Sequence, residues 1–116
     1  MDEKSTRMYK DKLLDLMEKD KVYLDATLSL RALAKQIDLH PNKLSWLIND
    51  MQEQNFNQFI NAYRIVHFKN LALNPNNAHL SIMGLAYESG FNSKTVFNTY
   101  FKKSTGISPK AWIKAQ

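Results

Sequence analysis

The sequence predicts an all-α fold of seven helices, and three observations carry that expectation. Apolar residues recur at three- and four-residue spacing along most of the chain, and no stretch shows the period-2 alternation of a strand set. Ser, Pro and Gly stand where helices start and stop. Two segments repeat the same pattern at an offset of about 52–53 residues.

The first helix is expected over residues 4–20, where Tyr9, Leu13, Leu16 and Met17 form one apolar stripe among charges. That stripe either docks on the first repeat or makes a dimer contact. Residues 21–28 break the pattern and read as an extended linker, with Val22, Tyr23 and Leu24 tucked inward. Ser29 is an N-cap for a helix over residues 30–38, with Leu30, Leu33, Ala34 and Ile37 inward. A turn at residues 38–40 leads to Pro41, which suits a first helical position because it needs no N–H. The helix over residues 41–51 turns Leu44, Leu47, Ile48 and Met51 inward. After a polar loop, a longer helix over residues 57–73 buries Phe59, Ile60, Tyr63, Val66 or His67, and Leu71. Asn74-Pro75-Asn76-Asn77 stops it.

The pattern then returns. Ser81 caps a helix over residues 82–89, with Ile82, Leu85 and Ala86 inward. Gly90 supplies the positive φ of a tight turn. Asn92 or Ser93 caps a helix over residues 93–103, with Val96, Phe97, Tyr100 and Phe101 inward. Gly106 ends it, and Ser108-Pro109 opens a last helix through Trp112. The chain divides accordingly into an N-terminal helix and linker (1–26), a first helix-turn-helix unit (27–55), a central helix (56–77) and a second unit with the last helix (78–116).

Composition narrows the function. The chain has 116 residues, enough for one domain or two small ones sharing a core. It has no Cys, which excludes a disulfide scaffold and thiolate chemistry. His40, His67 and His79 lack metal-ligand spacing, so no metal and no cofactor is expected. No nucleophile stands beside a base and no Gly-rich phosphate loop is present, so an enzyme is not expected. No apolar run approaches the ~18 residues of a membrane span, and the N-terminus lacks a signal peptide's pattern; a cytoplasmic protein is the expectation. The net charge is +5. Residues 1–26 hold seven acids and six bases, and residues 27–116 hold four acids and ten bases. The cationic part fits a polyanion partner or a basic solvated surface.

A short helix, a tight turn and a second helix can lay that second helix in a DNA major groove. Small residues are needed where the helices cross, and Ala34 and Ala86 stand there. The turn residue must tolerate positive φ. Gly90 does, and Asp38, its counterpart, does so better than most residues. The second helices turn Asn42, Lys43, Ser45, Trp46 and Asn49 outward in one unit, and Lys94, Thr95, Asn98, Thr99 and Lys102 in the other. Asn reads adenine, Lys reads guanine or holds phosphate, and Thr or Trp touches a thymine methyl. Asp50 borders the first face and would be repelled by phosphate. A joining helix of about 17 residues spans ~26 Å. With the flanking units this reaches ~34 Å, one turn of B-DNA, so that two helices could enter successive major grooves.

The segment SIMGLAYESGFNSKTVFNTYFKKSTGISPKAW resembles the signature of AraC/XylS-type transcription regulators. Its matching residues are Ile82, Leu85-Ala86, Gly90-Phe91, Ser93, Phe97, Phe101-Lys102-Lys103, Gly106 and Ser108-Pro109. The stretch SLRALAKQIDLHPNKLSWLINDMQEQNFNQFINAYR is similar to the family's first unit, including Leu44-Ser45, Asn55-Phe56 and Arg64. The resemblance covers about residues 22–114, in a style like that of regulators and hybrid sensors of Bacteroidetes-type bacteria.

The resemblance implies a seven-helix domain that binds asymmetric DNA sites near promoters. It implies transcription activation, in part by contact with RNA polymerase, and a sensor or dimerisation domain outside this stretch. By position, the base-facing candidates are Asn42, Ser45, Trp46 and Asn49, then Lys94, Thr95, Asn98 and Thr99. Phosphate contacts are expected from Lys43, Arg64, Ser93, Lys102 and Lys103.

Several positions depart from the family or read two ways. Thr99 stands where Arg is frequent, Phe68 where Ala is usual, and Trp112-Ile113 where an aromatic-Arg pair is common. Trp46 either packs on DNA or folds onto Ala62 or Tyr63, and Arg64 either reaches phosphate or pairs with Asp50 or Glu88. Trp112 reads as a core plug, and His67 as a partly buried or surface His. Two rivals to the specific regulator stand open: a non-specific or architectural DNA binder, and a protein-interaction module that has lost DNA binding.

Overall fold

A computed structural model describes residues 1–116. It has seven α-helices: α1 (Glu3–Glu18), α2 (Leu30–Gln36), α3 (Pro41–Gln52), α4 (Phe56–Leu73), α5 (Ile82–Glu88), α6 (Lys94–Thr105) and α7 (Pro109–Lys114). The chain forms two compact units, Met1–Ile60 and Asn61–Gln116, and the boundary falls inside α4.

Helix starts follow from capping chemistry. The first backbone N–H groups of a helix lack intrahelical partners, and a side-chain oxygen can accept from one of them. Ser29 Oγ accepts from Ala32 N at 3.1 Å, and Ser81 Oγ from Gly84 N at 2.9 Å. Ser93 Oγ accepts from Val96 N at 3.2 Å, and Ser108 Oγ from Ala111 N at 3.1 Å. Each such cap contributes about 1 kcal/mol. Asp2 caps α1 by accepting from Ser5 N at 2.7 Å, which holds its carboxyl below the usual range. The start of α4 is a reciprocal box: Asn55 Oδ1 accepts from Gln58 N at 2.8 Å, and Gln58 Oε1 from Asn55 N at 3.0 Å.

In the first unit, α2 packs on α3, and α1 packs on α3 and on the turn that follows α1. Leu13 and Met17 of α1 are buried, as are Leu33, Ala34, Ile37, Leu44, Leu47, Ile48, Phe59 and Ile60. The α1 stripe therefore docks on the first helix-turn-helix unit. The segment after α1 differs from the expected extended linker. Lys21 turns left-handed at φ 50°, and Val22–Leu24 form a 3-10 turn. That turn buries Tyr23, and burial raises its phenol pKa above the ordinary value.

The second unit is built on aromatic rings. Phe68 of α4 lies 4.8 Å from Phe97 and 5.4 Å from Phe101, centroid to centroid. Phe91 meets Phe97 edge-on at 5.1 Å, and Trp112 meets Phe101 edge-on at 5.9 Å. Ile65, Leu85 and Ala86 complete this cluster, against which Ile82, Met83 and Tyr100 pack. Trp112 is thus the plug expected of it. His67 is half-buried, with Nδ1 3.3 Å from the hydroxyl of the buried Ser89.

Some placements in α4 and α6 differ from expectation. Val96, placed inward by spacing, is 41% exposed, and of the alternatives Val66 or His67 it is His67 that is half-buried, Val66 being 56% exposed. In α4 the buried set includes Asn61, Arg64, Ile65 and Phe68 instead. Phe59 and Ile60 belong to one unit and Ile65 and Phe68 to the other, so no single stripe describes this helix. Val96 lies in the first turn of α6, one residue before the fully buried Phe97. A step of about 100° carries Val96 off the core face.

Candidate nucleic-acid interface

Each unit presents one helix whose outer face is polar and open. The turns that aim these helices close in the same way. After α2, Leu39 N donates to Ala34 O at 3.0 Å, with Asp38 left-handed at φ 55°. After α5, Phe91 N donates to Ala86 O at 3.1 Å, with Gly90 at φ 100°. Ala34 and Ala86 are both buried, so a larger side chain at either position would push the helices apart. The amide that closes each turn sits beyond a left-handed residue, which is how a helix satisfies its last carbonyls.

In α3, Leu44, Leu47 and Ile48 are fully buried and hold the helix by its inner side. Asn42, Ser45, Trp46 and Asn49 are all exposed, and at ~100° per residue they share an arc of about 100°. Trp46 is 49% exposed, which agrees with its outward reading. Lys43 lies exposed on the flank. In α6, Phe97 and Phe101 are fully buried, and Lys94, Thr95, Asn98 and Thr99 are exposed. Thr95, Asn98, Thr99 and Lys102 also span an arc of about 100°. Lys102 and Lys103 are exposed in the last turn of α6, where cations also suit the helix dipole. Ser93 is half-buried, and its oxygen is engaged by Val96 N.

Arg64 is placed differently from its companions in the expected phosphate set. It is 9% exposed, donates from Nη1 to Asn61 Oδ1 at 3.2 Å, and stands 6.0 Å from the centroid of the Phe91 ring. It belongs to the interior of the second unit, not to the open face.

One relationship at the interface was invisible to local spacing. Lys10 Nζ of α1 lies 2.9 Å from Asp50 Oδ2 of α3. The carboxylate that borders the open face of α3 is therefore paired with a cation 40 positions away in sequence. No helix of the chain is long and apolar enough to cross a membrane.

Comparison with known proteins places this arrangement. The family described as "Helix-turn-helix domain" matches residues 33–115. The chain is 28% identical over 90 residues to the melibiose operon regulatory protein of Escherichia coli strain K12, a match that covers 78% of this chain and 29% of that protein. The chain thus spans less than a third of that relative's length. The C-terminal domain of the two-component response regulator yesN from Fusobacterium nucleatum superposes with a TM-score of 0.76 at 25% identity, covering 90% of this chain and 97% of that one. The DNA-binding domain of AdpA, a global transcriptional factor solved in complex with a target DNA, has the same fold at a TM-score of 0.76 and 15% identity, with 90% and 89% covered. With seven helices, two equivalent turns and a family match over most of its length, this chain belongs to the helix-turn-helix domains of AraC/XylS-type transcription regulators, which are DNA-binding domains.

Proposed function

We propose that this domain recognises a specific duplex sequence, with α3 and α6 each reading one major groove. The carrying observation is that all eight expected base-facing side chains are exposed, seven of them on the open arcs of these two helices opposite fully buried anchors and Lys94 in the first turn of α6. Their chemistry suits base edges. Asn42, Asn49 and Asn98 can pair bidentately with adenine, Lys94 can donate to guanine O6 and N7, and Thr95 and Thr99 can meet thymine methyls. Lys43, Lys102 and Lys103 hold phosphates, and the Ser93 hydroxyl can donate to one while its oxygen caps α6. Arg64, being buried, is left out of this set.

The two grooves are successive ones. At ~1.5 Å per residue the 18-residue α4 is ~27 Å long. The domain is the output module of a cytoplasmic bacterial regulator that activates transcription. Its partners are promoter DNA, RNA polymerase and a sensor or dimerisation domain, as the resemblance to longer regulators suggests.

Binding to a pool of randomised duplexes at two salt concentrations, followed by sequencing of the bound fraction, tests this. An enriched bipartite motif with halves about one turn apart is expected. Salt-sensitive binding without enrichment would mean an architectural binder. No binding at low salt would mean a protein-interaction module.

A further inference from the structure

The family match begins at residue 33, so α1 lies wholly outside it. Yet α1 packs directly on the reading helix α3 of the same unit. Met1, Asn42, Lys43 and Trp46 line one shallow concavity, so the start of the chain borders the open arc of α3. Farther along, Lys10 Nζ meets Asp50 at 2.9 Å. The first half of α1 therefore flanks α3 on the side of Lys43 and Asp50.

The cations of that half are spaced regularly. Lys4, Arg7 and Lys10 recur at every third residue, so successive members are offset by about 60° and form one oblique ridge. Lys4 and Arg7 are exposed and, with Glu3, line a second shallow concavity. Lys10 is engaged by Asp50, which removes the nearest acid of α3 from this flank. Asp2, the N-cap of α1, and Glu3 stand at its start, and the remaining acids, Asp11, Asp15 and Glu18, lie in its second half, where Lys19 lies 3.5 Å from Asp15.

We propose that the Lys4–Arg7 ridge of α1 is an additional phosphate clamp, gripping the DNA backbone that walls the groove read by α3. The proposal rests on the reading of α3 as a base-reading helix. A side chain that neutralises phosphate contributes affinity without sequence preference, and each contact adds ~0.9 to the slope of log K against log salt. Glu3 shares the concavity and opposes the clamp by its charge.

The test compares the salt dependence of binding for the full chain and three variants on a duplex enriched from the random pool. Lys4→Ala/Arg7→Ala is expected to lower the slope by ~1.8 and weaken binding equally on the enriched and on scrambled duplexes. Lys12→Ala/Lys19→Ala removes the same charge from α1 and its C-cap and is expected to leave the slope unchanged. Glu3→Gln is expected to tighten binding on both duplexes. An unchanged slope in Lys4→Ala/Arg7→Ala, or equal losses in the two double variants, overturns the clamp. In either case an intact bipartite motif for the unmodified chain keeps the base-reading account standing. Absence of any motif for the unmodified chain sinks both.

Discussion

Asp38 and Gly90 occupy the same place in the two helix-turn-helix units, and both are left-handed, at φ 55° and φ 100°. The amide that follows each one closes back onto a buried alanine of the preceding helix, Ala34 or Ala86. A residue with a Cβ is strained in this region and glycine is not. Asp38→Gly is therefore expected to stabilise the chain by up to ~1 kcal/mol. Gly90→Ala is expected to destabilise it by ~1–3 kcal/mol. Urea denaturation reads both, and a stabilising Gly90→Ala would mean that the turn does not need its left-handed residue.

Lys10 and Asp50 form the second relationship with a direct consequence. The pair is partly solvated, so it contributes little to stability, at most ~1 kcal/mol. Its larger effect is on DNA, because an unpaired Asp50 would face the polyanion beside Asn49. Lys10→Ala is expected to weaken binding several-fold while the melting temperature barely moves. Adding Asp50→Asn to that variant is expected to restore binding. Failure of the second substitution to rescue would mean that Lys10 acts by itself.

Phe68 is the hub of the second unit, fully buried between Phe97 and Phe101. Phe68→Ala removes a large side chain whose space the neighbours fill only in part, at a cost of ~3–5 kcal/mol. That is a large share of the ~5–15 kcal/mol stability of a typical domain. Loss of the cooperative transition, or a melting temperature lowered by many degrees, is the expected result. A variant that melts like the parent would show that an alanine packs equally well here.

Base-reading and phosphate-holding residues separate by their effect on preference. Asn98→Ala and Lys94→Ala are each expected to lose ~1–3 kcal/mol on an enriched site and little on random duplex. Lys103→Ala is expected to weaken both DNAs alike and to lower the salt slope by ~0.9. Equal losses on both DNAs for Asn98→Ala would remove it from the base-reading set.

Much of this architecture was legible in the sequence because its signals are local. The serine caps at Ser29, Ser81, Ser93 and Ser108, the left-handed turns at Asp38 and Gly90, and the anchors Leu44, Leu47, Phe97 and Phe101 all depend on near neighbours. The open arcs of α3 and α6 followed from those anchors. What escaped depends on distant partners. Arg64 looks like a surface cation by type, but Asn61 and Phe91 draw it inward. Ile65 and Phe68 fell off the expected stripe because α4 serves two units. No spacing rule links Lys10 to Asp50, and an apolar pattern cannot distinguish an extended linker from the 3-10 turn at Val22–Leu24.

The most direct measurement of the central claim is guanine N7 methylation interference on a duplex enriched from the random pool. N7 lies in the major groove, so a methyl group there blocks a reading helix and leaves most phosphate contacts intact. Two clusters of interfering guanines about 10 base pairs apart are expected, and Lys94→Ala should erase interference in one cluster only. Tight binding with no interference at any guanine, or with a single cluster that Lys94→Ala leaves untouched, would contradict recognition by α3 and α6 in two grooves.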